Sequence, residues 1–270
     1  MVGPNVTLTP LNRADGSASY QCPSTGSNIL GSVNAPVELP GRRDALKPEE
    51  ATVEVFVKPG TAPAGVGERY VEGIIKTMIS RLILGREKGY PRRGVVITLA
   101  IVGGQPARRG DSVRTKSLSN PGGHWANRSA FQQYLTLLPA LLNTSLLALL
   151  SASVPMSMTF SATSLAVTST GDILREPTAE VASSAASVHV LAFSSKGHLL
   201  LNESQGAFDL DTWDNVRECA LAICRGTASS GSDGDVTMTV DVDGQPLEGT
   251  IREAVEDQVH RDYAWSIDAV

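Results

Sequence analysis

Two glutamates spaced four apart, Glu176 and Glu180, open the stretch "LREPTAEVASSAASVHVLAF" (Leu174–Phe193). A pair of carboxylates at this spacing could share general acid and base work. The seven residues after them, Val181 to Ser187, contain only valine, alanine and serine. A strand that did acid–base chemistry would need its carboxylates in or beside that run. The four histidines, His124, His189, His198 and His260, show no HxxxH or HExxH spacing. His189 and His198 could meet across neighbouring strands as a metal pair, yet no acid or thiolate accompanies them, and ordinary strand histidines are the simpler reading. Cys22, Cys219 and Cys224 form no CxxC pair, which suits buried thiols in a reducing compartment. "DVDG" at 241–244 opens like a calcium loop, but the later ligands do not follow, so it reads as a turn. No serine stands in G-x-S-x-G and no P-loop or GxGxxG element is present. The residues therefore call for no metal and no cofactor.

One segment concentrates charge. "GGQPARRGDSVRTKSLSNPGGHWANRS" (103–129) carries Arg108, Arg109, Arg114, Lys116 and Arg128 against one acid, Asp111, inside a chain of net charge −5. It has no helical or strand period, and a loop this long is either functional or a solvated insertion. The functional reading is salt-dependent contact with phosphates, without sequence choice. Trp125 is its one aromatic residue, which argues against base stacking there. The overall negative charge excludes a protein whose whole surface grips nucleic acid. "YLTLLPALLNTSLLALLSASVPM" (Tyr134–Met156) has the length of a membrane span, but Pro139, Asn143, Thr144 and several serines interrupt it. It reads as a buried core helix with no membrane role, and "MVGPNVTLTPLNRADG" lacks the pattern of a signal peptide.

The elements that must position these residues follow from periodicity. "SASYQC", "SNILGSVNAPVEL" and "ATVEVFVKP" read as strands. In the last, Val53, Val55 and Val57 share one face and Thr52, Glu54 and Phe56 the other. "GERYVEGIIKTMISRLILG" reads as a helix whose apolar face is Tyr70, Val71, Ile74, Ile75, Met78, Ile79 and Leu82, ended by Gly85. "GVVITLAIV" reads as a strand buried on both faces. After the basic segment and the apolar helix come strands in "SMTFSATSLAVTS", "ASVHVLAF" and "KGHLLLNES", with "GDIL" and a turn before the second. "DLDTWDNVRECALAICRG" reads as a helix capped by an Asp near 209–211 and closed by Gly226. A Ser/Gly/Asp linker then leads to a charged terminal helix, "TIREAVEDQVHRDYAW". This order predicts an α/β (α+β) sandwich rather than a doubly wound sheet.

Five of these segments occur in register with one known family. "ADGSASY", "SVNAPVELPGRRDALKPEEATVEVFVKP", "GVGERYVEGIIKTMISRLI", "YPRRGVVITLAIV" and "ILREPTAEVASSAASVHVLAF" resemble the RNase PH family, and most closely the non-catalytic RNase-PH-type ring subunits of the eukaryotic RNA exosome core. The resemblance runs from about Leu11 to Gly226. It implies the RNase PH-like fold, two βαβα-like halves packed in one domain (ribosomal protein S5 domain 2-like). It places that domain at residues 1–227 with the basic insertion at 103–129, followed by a linker and C-terminal helix at 228–270.

Active members of the family use inorganic phosphate to split RNA, with two acids six residues apart. The resemblance puts Val181 and Ser187 at those positions, where neither side chain replaces a carboxylate. Loss of a positioned acid alone costs ~10²–10⁴-fold in rate. The Gly-Ser/Thr-Arg turn that binds phosphate becomes "GGQPARRG", in which Arg108 or Arg109 is left to mimic the arginine. Of the arginine pair at the start of the first long helix, Glu68 occupies the first place and only Arg69 remains.

These departures imply a catalytically inactive structural subunit that forms part of an RNA channel for 3′-to-5′ processing and degradation, including rRNA processing and mRNA turnover. Its implied partners are other RNase-PH-type ring subunits, cap subunits, an associated nuclease and single-stranded RNA, in nucleus, nucleolus and cytoplasm. Candidate RNA contacts are Lys58, Arg69, Arg108, Arg109, Arg114 and Lys116, and candidate interface residues are Arg42 and Arg43. Two other readings stay open: an active phosphorolytic exoribonuclease using Glu176 or Glu180, and a free-standing RNA-binding or scaffolding protein.

Overall fold

Valine alternation organises the first sheet. The structure, a computed structural model, describes residues 3–38, 49–60, 64–86, 93–103, 134–226 and 246–267. Strands β1 (Asn5–Leu8), β2 (Gly16–Cys22), β3 (Ser27–Glu38), β4 (Thr52–Pro59) and β5 (Arg93–Gly103) form one sheet in the order β1-β2-β3-β5-β4. In β4, Val53, Val55 and Val57 are buried while Thr52, Glu54 and Phe56 are half-buried, the predicted alternation. β4 lies at the sheet edge, parallel to β5, and the other pairings of this sheet are antiparallel. The parallel pair requires a crossover, and helix α1 (Val66–Leu82) supplies it. Val71, Ile75, Met78, Ile79 and Leu82 form its buried face; Tyr70, expected there, is exposed instead, and Ile74 only half-buried. The helix ends at Leu82, three residues before Gly85.

Helix α2 (Leu138–Ser151) is the core of the molecule. Every residue from Leu138 to Leu149 is buried, because it packs on β2 and β3 of the first sheet and on β6 (Phe160–Val167) of the second. An apolar surface on all sides is what such a position requires. Its span is shorter than the apolar run that contains it, and no helix among the described residues is long and apolar enough to cross a membrane. Close approach to β2 depends on Gly16, where a Cβ would stand 2.3 Å from the Ala152 backbone nitrogen. Asn143 spends both halves of its amide on β6, donating to the Ala162 carbonyl at 2.9 Å and accepting from the Ala162 N–H at 2.9 Å. A buried amide is thereby satisfied as donor and as acceptor.

The second sheet has the order β7-β6-β8-β9, with β7 (Ile173–Arg175), β8 (Ser187–Ser194) and β9 (Leu199–Gly206), all antiparallel. The turn expected before β8 is a six-residue helix, α3 (Ala179–Ser184). Helix α4 (Leu210–Arg225) covers the face of β6 and β8 opposite α2. Both strands are consequently buried at every position. Asp209 is the N-cap of α4, but its side chain makes no capping bond, while Gly226 closes the helix in the left-handed conformation as expected. Helix α5 (Leu247–Ile267) starts earlier than its charge pattern predicts, since Leu247 and Ile251 are buried in the core. Strand β1, unpredicted, pairs with β2.

Candidate functional site

The stretch that carries Glu176 and Glu180 folds into β7, α3 and the start of β8. Thr178 caps α3, its hydroxyl accepting from the Val181 N–H at 3.4 Å. Val181 is half-buried and Ser187 buried. Ser187 sits in a two-sided register, opposite Val167 on β6 and Gly206 on β9. Beside it lies a concavity of about 350 Å³ lined by Ala182, Ala185, Ser187, Val188, Gly206 and Ala207 among others. None of its described lining residues is charged.

The hydroxyl of Ser187 belongs to a chain of hydrogen bonds. Its Oγ is 2.9 Å from His189 Nε2, and His189 Nδ1 is 2.9 Å from Ser204 Oγ. Ser204 donates its own proton to Asn202 Oδ1 at 2.8 Å. Ser204 must then accept from His189, which puts the imidazole proton on Nδ1 and leaves Nε2 to accept from Ser187. Burial lowers the His189 pKa to about 4, so the ring is neutral at ordinary pH. Phe208 closes the site edge-on, its centroid 4.7 Å from that of His189. His198 lies instead at the β8–β9 turn, its N–H donating to Ser194 Oγ at 3.0 Å. The two histidines do not form a metal pair, and the described residues hold no cluster of three or more metal-ligating side chains.

The two glutamates diverge. Glu176 has φ of 48°, and its carboxylate is turned toward the β2–β3 turn. It accepts from Ser24 Oγ and from the Cys22 thiol at 3.2 Å, with Arg175 3.9 Å away. Burial and then the nearby Glu176 charge push the Cys22 thiol pKa up, so Cys22 stays protonated and donates. Glu176 thus fastens one sheet to the other. Glu180 is exposed in the first turn of α3.

At the start of α1, Glu68 is a buried carboxylate with two donors. Tyr134 Oη donates to its Oε1 at 2.6 Å and the Gly65 N–H to its Oε2 at 2.9 Å. The bond from the Gly65 N–H is the glutamate half of a capping box, glycine having no side chain for the other half, and it explains why a glutamate serves here. Any anionic phosphate brought to this helix start meets a fixed negative charge. Arg69 is exposed and pairs with Glu72 at 3.2 Å. Glu72 also accepts from the Val57 N–H of edge strand β4 at 2.9 Å, tying α1 to β4. Lys58 is exposed at the end of β4, so Lys58 and Arg69 stand on the two elements that this connection joins. Arg42, Arg43, Arg108, Arg109, Arg114 and Lys116 lie outside the described residues.

Sequence reasoning did not foresee the Ser187–His189–Ser204–Asn202 chain. Ser187 and His189 are two apart on one strand, a legible signal; their partners on β9 require the hairpin register. No model of a known protein family matches the chain. It is 27% identical over 222 residues to exosome complex component RRP46 of Saccharomyces cerevisiae, covering 80% of this chain and 87% of that protein. Among solved structures it is similar to Rrp46 of rice (Oryza sativa), with a TM-score of 0.62 and 22% identity over 80% of this chain and 85% of the other. It is also similar to a chain of the Archaeoglobus fulgidus exosome with RNA bound to the active site, with a TM-score of 0.57 and 12% identity over 81% and 84%. A chain of an archaeal exosome core gives 0.56 and 12% over 81% of each. The fold is that of the RNase PH-like proteins of exosome rings.

Proposed function

Because this chain has an RNase PH-like fold and is similar to the exosome component Rrp46, we propose that it is a structural ring subunit of an RNA exosome, inert in phosphorolysis. Similarity along four fifths of the chain, and most of the yeast protein, supports ring membership. The observation that carries inertness is the chemistry at the two acid positions. Val181 offers hydrocarbon, and the hydroxyl of Ser187 is hydrogen-bonded to a neutral imidazole. A buried carboxylate at Glu68, in place of an arginine, adds repulsion toward phosphate.

Its work is architectural. Among the described residues, β4 and β9 are edge strands, as are β1 and β7, and the longer edges β4 and β9 are the proposed surfaces for strand pairing with neighbours, with Lys58 and Arg69 the candidate contacts to RNA phosphates in the channel. Other RNase-PH-type subunits, cap subunits and a separate nuclease are the proposed partners, and nucleus, nucleolus and cytoplasm the proposed places of action. Arg42, Arg43 and the basic segment with Arg108, Arg109, Arg114 and Lys116 would extend these surfaces. The test is RNA and inorganic phosphate supplied to the chain within its ring. No nucleoside diphosphate release, and no change with Glu176→Gln or Glu180→Gln, is the expected result. Release that either substitution abolishes would replace this reading with an active phosphorolytic exoribonuclease.

A further inference from the structure

Apolar side chains that a helix period assigns to a buried face, but that the fold leaves uncovered, mark a surface with a missing partner. Tyr70 and Ile74 are such residues on α1, Tyr70 being 48% exposed and Ile74 half-buried. They line a groove of about 650 Å³ between α1 and β9, to which Met78, Leu200 and Leu201 add further apolar surface. Leu199, 37% exposed, continues that surface at the start of β9. β9 is itself an edge strand, paired with β8 on one side and with no described strand on the other. The groove therefore lies beside backbone groups that await a partner.

One carboxylate stands inside the groove. The pleat puts Glu203 on the same face of β9 as Leu201, where it is half-buried and lines the groove. Burial raises its pKa, and its charge adds to burial in raising that of the Tyr70 phenol. No cation among the described residues forms an ion pair with Glu203: Arg69 is engaged with Glu72 at 3.2 Å, and Arg81 is exposed on the helix rim. A carboxylate partly stripped of water gains from a charge-assisted bond to a cation. A nucleic acid entering the groove would set its phosphates against that carboxylate. A second copy of this chain, paired β9 to β9, would set two such carboxylates on one face of the joined sheet.

We propose that the groove takes an extended segment of a partner protein, added to β9 as a further strand, with a basic residue on Glu203 and an aliphatic residue, two positions away, on Leu201. Backbone bonds along the edge supply affinity, and the alternate side chains that enter the groove supply choice. The inference rests on the strand pairing proposed above for β9 and adds what the incoming strand must carry.

The experiment uses the full chain and a fluorescein-labelled heptapeptide, Thr-Val-Thr-Lys-Thr-Val-Thr, which offers valine two positions from lysine in either strand direction. A companion peptide carries glutamate in place of the lysine. Anisotropy titrations should give saturable binding of the lysine peptide and about tenfold weaker binding of the glutamate peptide, as attraction to Glu203 turns to repulsion. With the lysine peptide bound, amide hydrogen exchange along β9 should slow. Glu203→Lys, shown to be folded by circular dichroism and a melting curve, should reverse the preference between the peptides. The peptide comparison uses the unaltered chain, so it decides the matter even where the variant does not fold. No saturable binding, equal affinity for the two peptides, or unslowed exchange in β9 overturns the proposal, as does an unchanged preference in the folded variant. Displacement of the lysine peptide by a short single-stranded RNA, or by self-association of the chain in sedimentation, also overturns it. None of these results bears on ring membership, which co-purification with other subunits reads separately.

Discussion

His189 lies in a strand buried on both faces, and its ring keeps its proton on Nδ1 for Ser204. Its pKa falls from 6.5 to about 4 because burial penalises the charged ring. The sign of the resulting pH effect follows from linkage. Below 6.5 the unfolded chain takes up a proton here that the folded chain refuses. The contribution to stability is therefore whole above pH 6.5 and declines as pH falls toward 4. The loss across that window is on the order of 2 kcal/mol. Denaturant titrations at pH 7 and pH 4.5 should show it, and His189→Gln should flatten the dependence. A variant as acid-sensitive as the parent would place the cause elsewhere. Two other buried groups give a simpler expectation. Burial, with the Glu218 charge second, lifts the Cys219 thiol to about 11, and burial lifts Cys224 to about 11. Both should resist alkylation at pH 8 until the chain unfolds; fast modification of the native protein would contradict this.

Elements of the second sheet depend on one backbone conformation. Gly206 ends β9 with φ of 112°, and a Cβ there would also approach Ser187 Cα to 2.6 Å. Gly206→Ala should cost about 3 kcal/mol or more, since strain and overlap add. A melting temperature unchanged by the substitution would refute the register at Ser187. At the start of α1, Tyr134→Phe removes a donor from the buried Glu68 carboxylate and should cost about 1–3 kcal/mol in a denaturant titration. These elements were unequally legible in the sequence. β4 and α1 declared themselves because a half-buried strand and a one-faced helix write their period into the residue order. β6, and β8 apart from His189, showed only apolar or small residues, as strands covered on both faces do. β1 was invisible because four residues carry too little pattern, and α3 because six Ala, Ser, Val and Glu residues read equally well as a turn. Glu176 looked like a catalytic acid, and only the packing of β7 against the β2–β3 turn reveals it as a fastening.

At the scale of the whole molecule, α2 joins two sheets, whose edges among the described residues are β1 and β4 in one and β7 and β9 in the other. The order of elements made an α/β sandwich legible, and its two halves are present. The placement of α2 between them was not, since an all-apolar helix does not say which surfaces bury it. Lys58 and Arg69 define the electrostatic expectation at this scale. Changing both to glutamate should weaken RNA binding by the assembled ring. It should also lower the slope of log affinity against log salt by about 0.7 for each phosphate no longer neutralised. An unchanged slope would remove them from the RNA path. The claim that this chain is built to assemble is tested most directly by quantifying what co-purifies with it at its natural abundance. Mass spectrometry of the affinity-purified, size-fractionated complex should find other RNase-PH-type subunits in a one-to-one ratio with this chain. Recovery of the folded chain alone, with no RNase-PH-type subunit near stoichiometry, would contradict the account.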